Sequence, residues 1–137
     1  MVKERIEQLL IADGSLQDIF GHIQRTQGKM VRPILVSLVY QLCEGKDPEL
    51  LTDIATGIEL VHLASLVHDD IVDKSPLRRG AETVQKRFSP SVAVLAGDYL
   101  FAKAFMLFTS QQQGTVLNLM ADVICTMSRG ELEQLLA

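Results

Sequence analysis

Apolar positions recur every three to four residues over most of the chain, and β-branched residues never alternate with polar ones long enough to mark a sheet. The pattern predicts an all-α protein. Residues 2–12 and 15–27 read as two amphipathic helices, the second with Ser15 as N-cap and Asp18 three residues on, a variant capping box. A third runs from about Pro33, a favoured first-turn residue, to Glu44, where Gly45 stops it. The fourth extends from about Pro48 to Asp73, and residues 74–90 form one basic loop bounded by Pro76 and Pro90. A fifth helix, at about 91–109, is apolar nearly all round, which predicts enclosure on every side by its own chain or a partner. The QQQG stretch at 111–114 breaks the pattern, and a sixth helix runs from Thr115 to the end. It closes on ELEQLLA with no Gly, Pro or polar tail behind it, which predicts that the chain stops short.

At 137 residues the length fits a single domain, and an apolar fraction of 47% excludes disorder. A net charge of −4 argues against a general nucleic-acid surface, so an anionic ligand has to be met by a local site. Cys43 and Cys125 stand in ordinary apolar runs without CxxC spacing and read as reduced core residues of a cytoplasmic protein. The charged start MVKERIEQLL lacks the apolar region and cleavage site of a signal peptide. The most apolar window, residues 92–109, contains Asp98 and Lys103, so it reads as a buried helix and no integral membrane segment is expected.

Where the fourth helix is about to end, the chain reads HDDIVDKSPLRRG. At 100° per residue His62, Ser65, Leu66, Asp69 and Asp73 share one face, with Asp70 on its flank. Two carboxylates four apart repel by about 1 kcal/mol per close pair in water, and more where water is excluded. The negative end of the helix dipole adds a further few tenths to about 1 kcal/mol. Both penalties change sign if a hard divalent cation lies over the cluster, and Mg2+ favours one or two carboxylates completed by water and phosphate oxygens. A solvated acidic patch neutralised by Lys74, Arg78 and Arg79 accounts for the same residues.

QGKMVRP, residues 27–33, sets Lys29 and Arg32 ahead of a helix N-terminus, where backbone N–H groups and the dipole also favour an anion. Solvated basic residues at a helix start are the plain alternative. Arg78 and Arg79 form a second basic pair beside the acids, so two cationic groups bracket one acidic cluster and suggest two phosphorylated substrates. His62 shares the stripe of the carboxylates about 10 Å away along the helix. It reads either as a satisfied core histidine or as a phosphate donor. Asp98, in the apolar fifth helix, is expected to be structurally paired.

The order and spacing of GKMVRP (28–33), ELVHLASLVHDDIVDKSPLRRG (59–80), VLAGDYLFAKAF (94–105) and GELEQ (130–134) resemble the trans-isoprenyl diphosphate synthases, the polyprenyl synthetase family. The resemblance covers most of the chain. It implies the N-terminal part of an isoprenoid synthase helical bundle over residues 1–137, and a homodimer. It implies catalytic residues Asp69, Asp70 and Asp73, with Mg2+ held by Asp69 and Asp73 against an allylic diphosphate contacted by Arg78. Isopentenyl diphosphate would be held by Lys29, Arg32, His62 and Arg79. The implied reaction condenses the two substrates to an all-trans polyprenyl diphosphate. It requires no side-chain nucleophile, in keeping with the lack of a Ser/His/Asp or Cys/His arrangement. Small residues at Ala64 and Ser65, above Phe101, Phe105 and Leu107 as a floor, resemble the long-chain branch.

Three departures stand out. Gln27 replaces the first glycine of the family's GGK, Met30 replaces a basic residue, and a second aspartate-rich motif is absent from these residues. The chain alone is therefore expected to be inactive. The alternative is a non-catalytic or regulatory subunit of a heteromeric synthase. A terpene cyclase would share the acidic motif but would not need Lys29, Arg32 and His62, and a plain helical interaction module would bind neither metal nor diphosphate.

Overall fold

A computed structural model describes residues 1–110 and 114–137. The described residues form seven α-helices and one small hairpin, in the order α1 (Val2–Leu9), α2 (Gly14–Arg25), α3 (Val31–Leu42), α4 (Pro48–Val72), β1 (Leu77–Arg78), β2 (Ala81–Glu82), α5 (Val84–Arg87), α6 (Pro90–Ser110) and α7 (Gly114–Leu136). The all-α expectation holds. The Gln111–Gln113 part of the predicted break lies outside the described residues.

Helix α4 is the axis of the fold. Pro48 opens it with a preset φ, and the Asp47 carboxylate accepts from the N–H groups of Glu49 and Leu50, both at 3.1 Å. At its other end Lys74 is left-handed (φ 53°), and the N–H groups of Lys74 and Ser75 return to the carbonyls of Ile71 and Asp70 at 3.1 and 3.0 Å. This is a Schellman closure built on a lysine in place of the usual glycine.

Helices α4 and α6 pack most extensively on one another, and two glycines set how closely. A Cβ on Gly57 would lie 2.4 Å from the Phe108 ring, and a Cβ on Gly97 would lie 2.2 Å from His68 Nε2. Each helix thus receives a ring from the other, Phe108 of α6 on α4 and His68 of α4 on α6. Around this pair Ile6 and Leu10, at the α1 end, Ile23 of α2, and Leu60 and Leu100 are fully enclosed. Both helices have the length and hydropathy of a membrane span, and they are also the core pair of the bundle.

Several sequence expectations need correction. The second helix begins at Gly14, with Asp13 rather than Ser15 in the N-cap position. The residue that ends α3 in the left-handed region is Glu44 (φ 59°), not Gly45. The predicted loop carries a hairpin and α5, because Arg79 and Gly80 both take positive φ (54° and 78°) and close a two-residue turn. Cys43 and Cys125 are exposed, not core. Helix α6 is not enclosed by this chain: Leu95 and Met106 are 68% and 61% exposed. Helix α7 buries no residue, and α3 leaves Ile34, Leu35 and Leu38 exposed.

Candidate functional site

The helical periodicity of α4 carries His62, Ser65, Asp69 and Asp73 along one side, as the sequence implies. Asp69 is half-buried and Asp73 is the exposed C-cap. Neither carboxylate makes a hydrogen bond or ion pair among the described residues. Burial raises the pKa of Asp69, and the negative charges of Glu131 on α7 and of Asp73 push it the same way. Arg78 opposes the shift, so the site concentrates negative charge that the chain offsets only in part.

Asp70 behaves differently. It is 5% exposed and turns to Arg78, whose Nε donates to Oδ1 and Oδ2 at 3.2 and 3.0 Å while Nη2 donates to Oδ1 at 2.7 Å. That forked geometry engages both carboxylate oxygens. It also raises the pKa of Arg78 through the hydrogen bond to Asp70.

The basic residues assemble beside this cluster. Lys29, Arg32, His62 and Arg79 line one recess of about 330 Å³ at the N-terminus of α3. Met30, left-handed at φ 57°, occupies the cap position there. Arg32 Nη1 lies 3.2 Å from His62 Nε2. A guanidinium only donates, so the imidazole accepts at Nε2 and is neutral. Burial, then the charges of Arg32, Arg78 and Arg79, lower the pKa of His62 accordingly. A larger open hollow of about 570 Å³ shares Gly28, Lys29 and Met30 with the recess but does not include Arg32, His62 or Arg79.

The chain-length candidates separate. Ala64 is fully buried, whereas Ser65 is half-buried and donates from Oγ to the His62 carbonyl at 2.7 Å. Phe101 and Phe105 lie along α6 with ring centroids 6.5 Å apart, and Phe101 meets the His68 ring at 5.6 Å. Leu107 is buried. Asp98 is exposed, its Oδ1 lying 3.5 Å from His68 Nε2, which is itself 3.0 Å from the Val94 carbonyl.

Sequence reasoning missed three contributors. Glu59 is 3% exposed in the wall of the recess, where burial raises its pKa and Arg32 opposes the shift. Its position three residues before His62 on α4 was the available signal. Glu131 acts from another helix; it stands in the GELEQ stretch, but nothing local ties it to Asp69. Gly28 matters because a Cβ there would fall 2.7 Å from Arg79 Nη2.

Among the described residues no three His, Cys, Asp or Glu side chains form a ready metal cage. Asp69 and Asp73 nevertheless fit an open hard-cation site, being two unpaired oxygen donors one helical turn apart. The arrangement is thus an acidic subsite and a basic subsite on one helical scaffold, suited to two anionic ligands of which one arrives with a cation.

Residues 13–137 match the Polyprenyl synthetase family, and this chain belongs to it. The heptaprenyl diphosphate synthase component 2 of Geobacillus stearothermophilus is 34% identical over 135 residues, spanning 98% of this chain and 42% of that protein. The octaprenyl diphosphate synthase of Escherichia coli K12 is 36% identical over 136 residues, again 98% of this chain and 42% of its own length. The fold matches the crystal structure of a polyprenyl synthase from Caulobacter crescentus CB15 complexed with calcium and isoprenyl diphosphate. The TM-score is 0.90 at 31% identity, over 98% of this chain and 41% of that one. The isoprenoid synthase fold is thereby established for a chain that spans less than half the length of these relatives.

Proposed function

We propose that this chain supplies the substrate-binding half of an Mg2+-dependent trans-polyprenyl diphosphate synthase that makes a long-chain product. The observation that carries the reading is the pairing of two oppositely charged subsites along α4, Asp69 and Asp73 at one end and the Lys29–Arg32–His62–Arg79 recess beside it. The allylic diphosphate belongs over the carboxylates, where Asp69 and Asp73 would hold the cation. Isopentenyl diphosphate belongs in the recess, where cationic groups and backbone N–H groups match a diphosphate. A bound divalent cation would neutralise charge on the leaving diphosphate.

The reaction breaks the allylic C–O bond, joins that carbon to the isopentenyl double bond and releases a proton. The protein's work is placement: the recess fixes one diphosphate, α4 sets its distance from the other, and the half-buried flank limits water. The relative bound to calcium and isoprenyl diphosphate supports a cation–diphosphate site in this fold.

The carboxylates here form one wall only, so we infer that the chain by itself does not turn over. A second copy as partner is supported by the apolar face that α6 leaves open. A heteromeric synthase is the second reading, favoured by the relative named as component 2. The intact protein incubated with Mg2+, farnesyl diphosphate and labelled isopentenyl diphosphate should give long prenyl products; no metal-dependent incorporation would refute the assignment.

A further inference from the structure

The three aspartates of the acidic motif are not equivalent in space. Asp69 and Asp73 are open to a ligand, while Asp70 is 5% exposed with both oxygens engaged by Arg78. Arg78 is the last residue of β1, and the next residue, Arg79, starts the left-handed turn of the hairpin. From that turn the Arg79 guanidinium lies against Gly28, close enough that a Cβ there would fall 2.7 Å from Nη2. We propose that Asp70 is a positioning residue: by gripping Arg78 it fixes the hairpin that delivers Arg79 to the basic recess. The inference rests on the reading of that recess as a diphosphate subsite.

The other leg of the hairpin is anchored independently. His22 Nε2 lies 2.6 Å from the Glu82 carbonyl, and Thr83 Oγ1 and Gln85 Nε2 both donate to the Ser75 carbonyl at 2.7 Å. These bonds hold the return strand and the entry to the loop. Thr83 and Gln85 thus hold the base of the leg that leads into Arg79, at the Ser75 and Pro76 carbonyls, and among the described residues the side-chain restraint on β1 itself is the Asp70–Arg78 fork. Arg79 itself makes no ion pair among them, so its direction is inherited from its neighbour. A left-handed backbone at a residue with a Cβ is sparsely populated and persists where surrounding contacts impose it. Asp70 thereby links the two subsites, sitting between the acidic residues in sequence while acting on the basic recess in space.

Two simpler roles predict opposite results. If Asp70 served a metal, its loss would leave metal-free anion binding untouched. If it acted only through its charge, removing a negative group near the recess would tighten anion binding. The positioning role predicts weaker binding despite the lost repulsion.

The test is titration of inorganic pyrophosphate into the intact protein with divalent metal removed by chelation. The wild type should bind, and Asp70→Asn and Arg78→Lys should each weaken binding about tenfold, the scale of one misplaced charge-assisted contact. Arg79→Ala should do the same, and Asp70→Asn added to Arg79→Ala should cost nothing further, since both act through one group. Asp122→Asn, on the exposed side of α7, removes the same charge and should leave affinity unchanged. Circular dichroism separates a loss of folded protein from a loss of affinity. Arg78→Lys, on a half-exposed side chain, decides the matter if Asp70→Asn does not fold. Wild-type or tighter binding in folded Asp70→Asn or Arg78→Lys overturns the positioning role, as does a full additional loss in the double variant. Failure of the wild type to bind pyrophosphate overturns the recess reading and this inference with it.

Discussion

Arg32 donates to His62 across 3.2 Å, joining the first turn of α3 to the middle of α4. The bond requires an unprotonated Nε2, and burial with three nearby arginines favours the same state. The folded pKa therefore lies below the ordinary 6.5, so the unfolded chain binds more protons as pH falls through and below that value. His62 thus costs stability on acidification, with the loss beginning near the unfolded pKa and growing until the folded one is reached. Thermal melts of wild type and His62→Gln should converge in their pH dependence above about pH 7 and differ in slope below it, given the ordinary His range. Equal slopes on the acid side would contradict the neutral-histidine assignment.

Asp69 has the opposite linkage. Its pKa is raised, first by burial and then by Glu131 and Asp73, so its ionised form opposes folding at neutral pH and protonation relieves that strain. In the absence of metal, Asp69→Asn should be as stable as the wild type or raise Tm by about 1–3 °C, the scale of a relieved exposed like-charge pair. Under the proposed function the same change abolishes Mg2+-dependent retention of an allylic diphosphate. A variant that melts lower without metal, or retains the diphosphate, would argue against a charge-crowded carboxylate serving a cation.

The long helices were legible because periodicity and their punctuation agree: Pro48 follows a capping Asp47, and Pro90 follows Ser89, whose Oγ accepts from the Val92 N–H at 3.1 Å. The shared face of His62, Asp69 and Asp73 followed from helical geometry alone. The hairpin was not legible, since its left-handed turn position is filled by Arg79, a residue without turn preference, and its stability comes from Asp70 and His22 far from the turn. For the same reason Asp70 could not be separated from its neighbours in the sequence. Its partner is eight residues on, and only the fold shows that Arg78 turns back to meet it. For α6 the sequence left open whether its own chain or a partner covers it, because an apolar face reports that something covers it, not which chain does so.

The fit of Phe108 over Gly57 sets the approach of α4 and α6. Replacing a helical glycine by alanine usually stabilises by up to about 1 kcal/mol through propensity. At Gly57 the new Cβ would lie 2.4 Å from a fully buried ring, which must shift within a packed core. Overpacking of that kind costs about 1–3 kcal/mol, so Gly57→Ala should destabilise on balance. Denaturant melts should show a lower midpoint at unchanged slope. A midpoint at or above that of the wild type would mean that the ring has room to move.

Chain length offers a separation between neighbours. Ala64 is fully buried, so a phenylalanine there meets core atoms before it meets any substrate, and about 1–3 kcal/mol of stability should be lost to overpacking. Ser65 is half-buried, one turn from Asp69 on the face that carries both acidic ligands. A phenylalanine at that position projects below the proposed allylic site without displacing the core, at the loss of a hydroxyl bond to the His62 carbonyl. Under the proposed function Ser65→Phe should shorten the products of the intact protein while its Tm stays within a few degrees of the wild type. Ala64→Phe should instead lower Tm more than it changes product length. Thin-layer sizing of labelled products beside thermal melts of both variants tests the pair. An unchanged product length in Ser65→Phe would show that the growing chain does not descend along this face of α4.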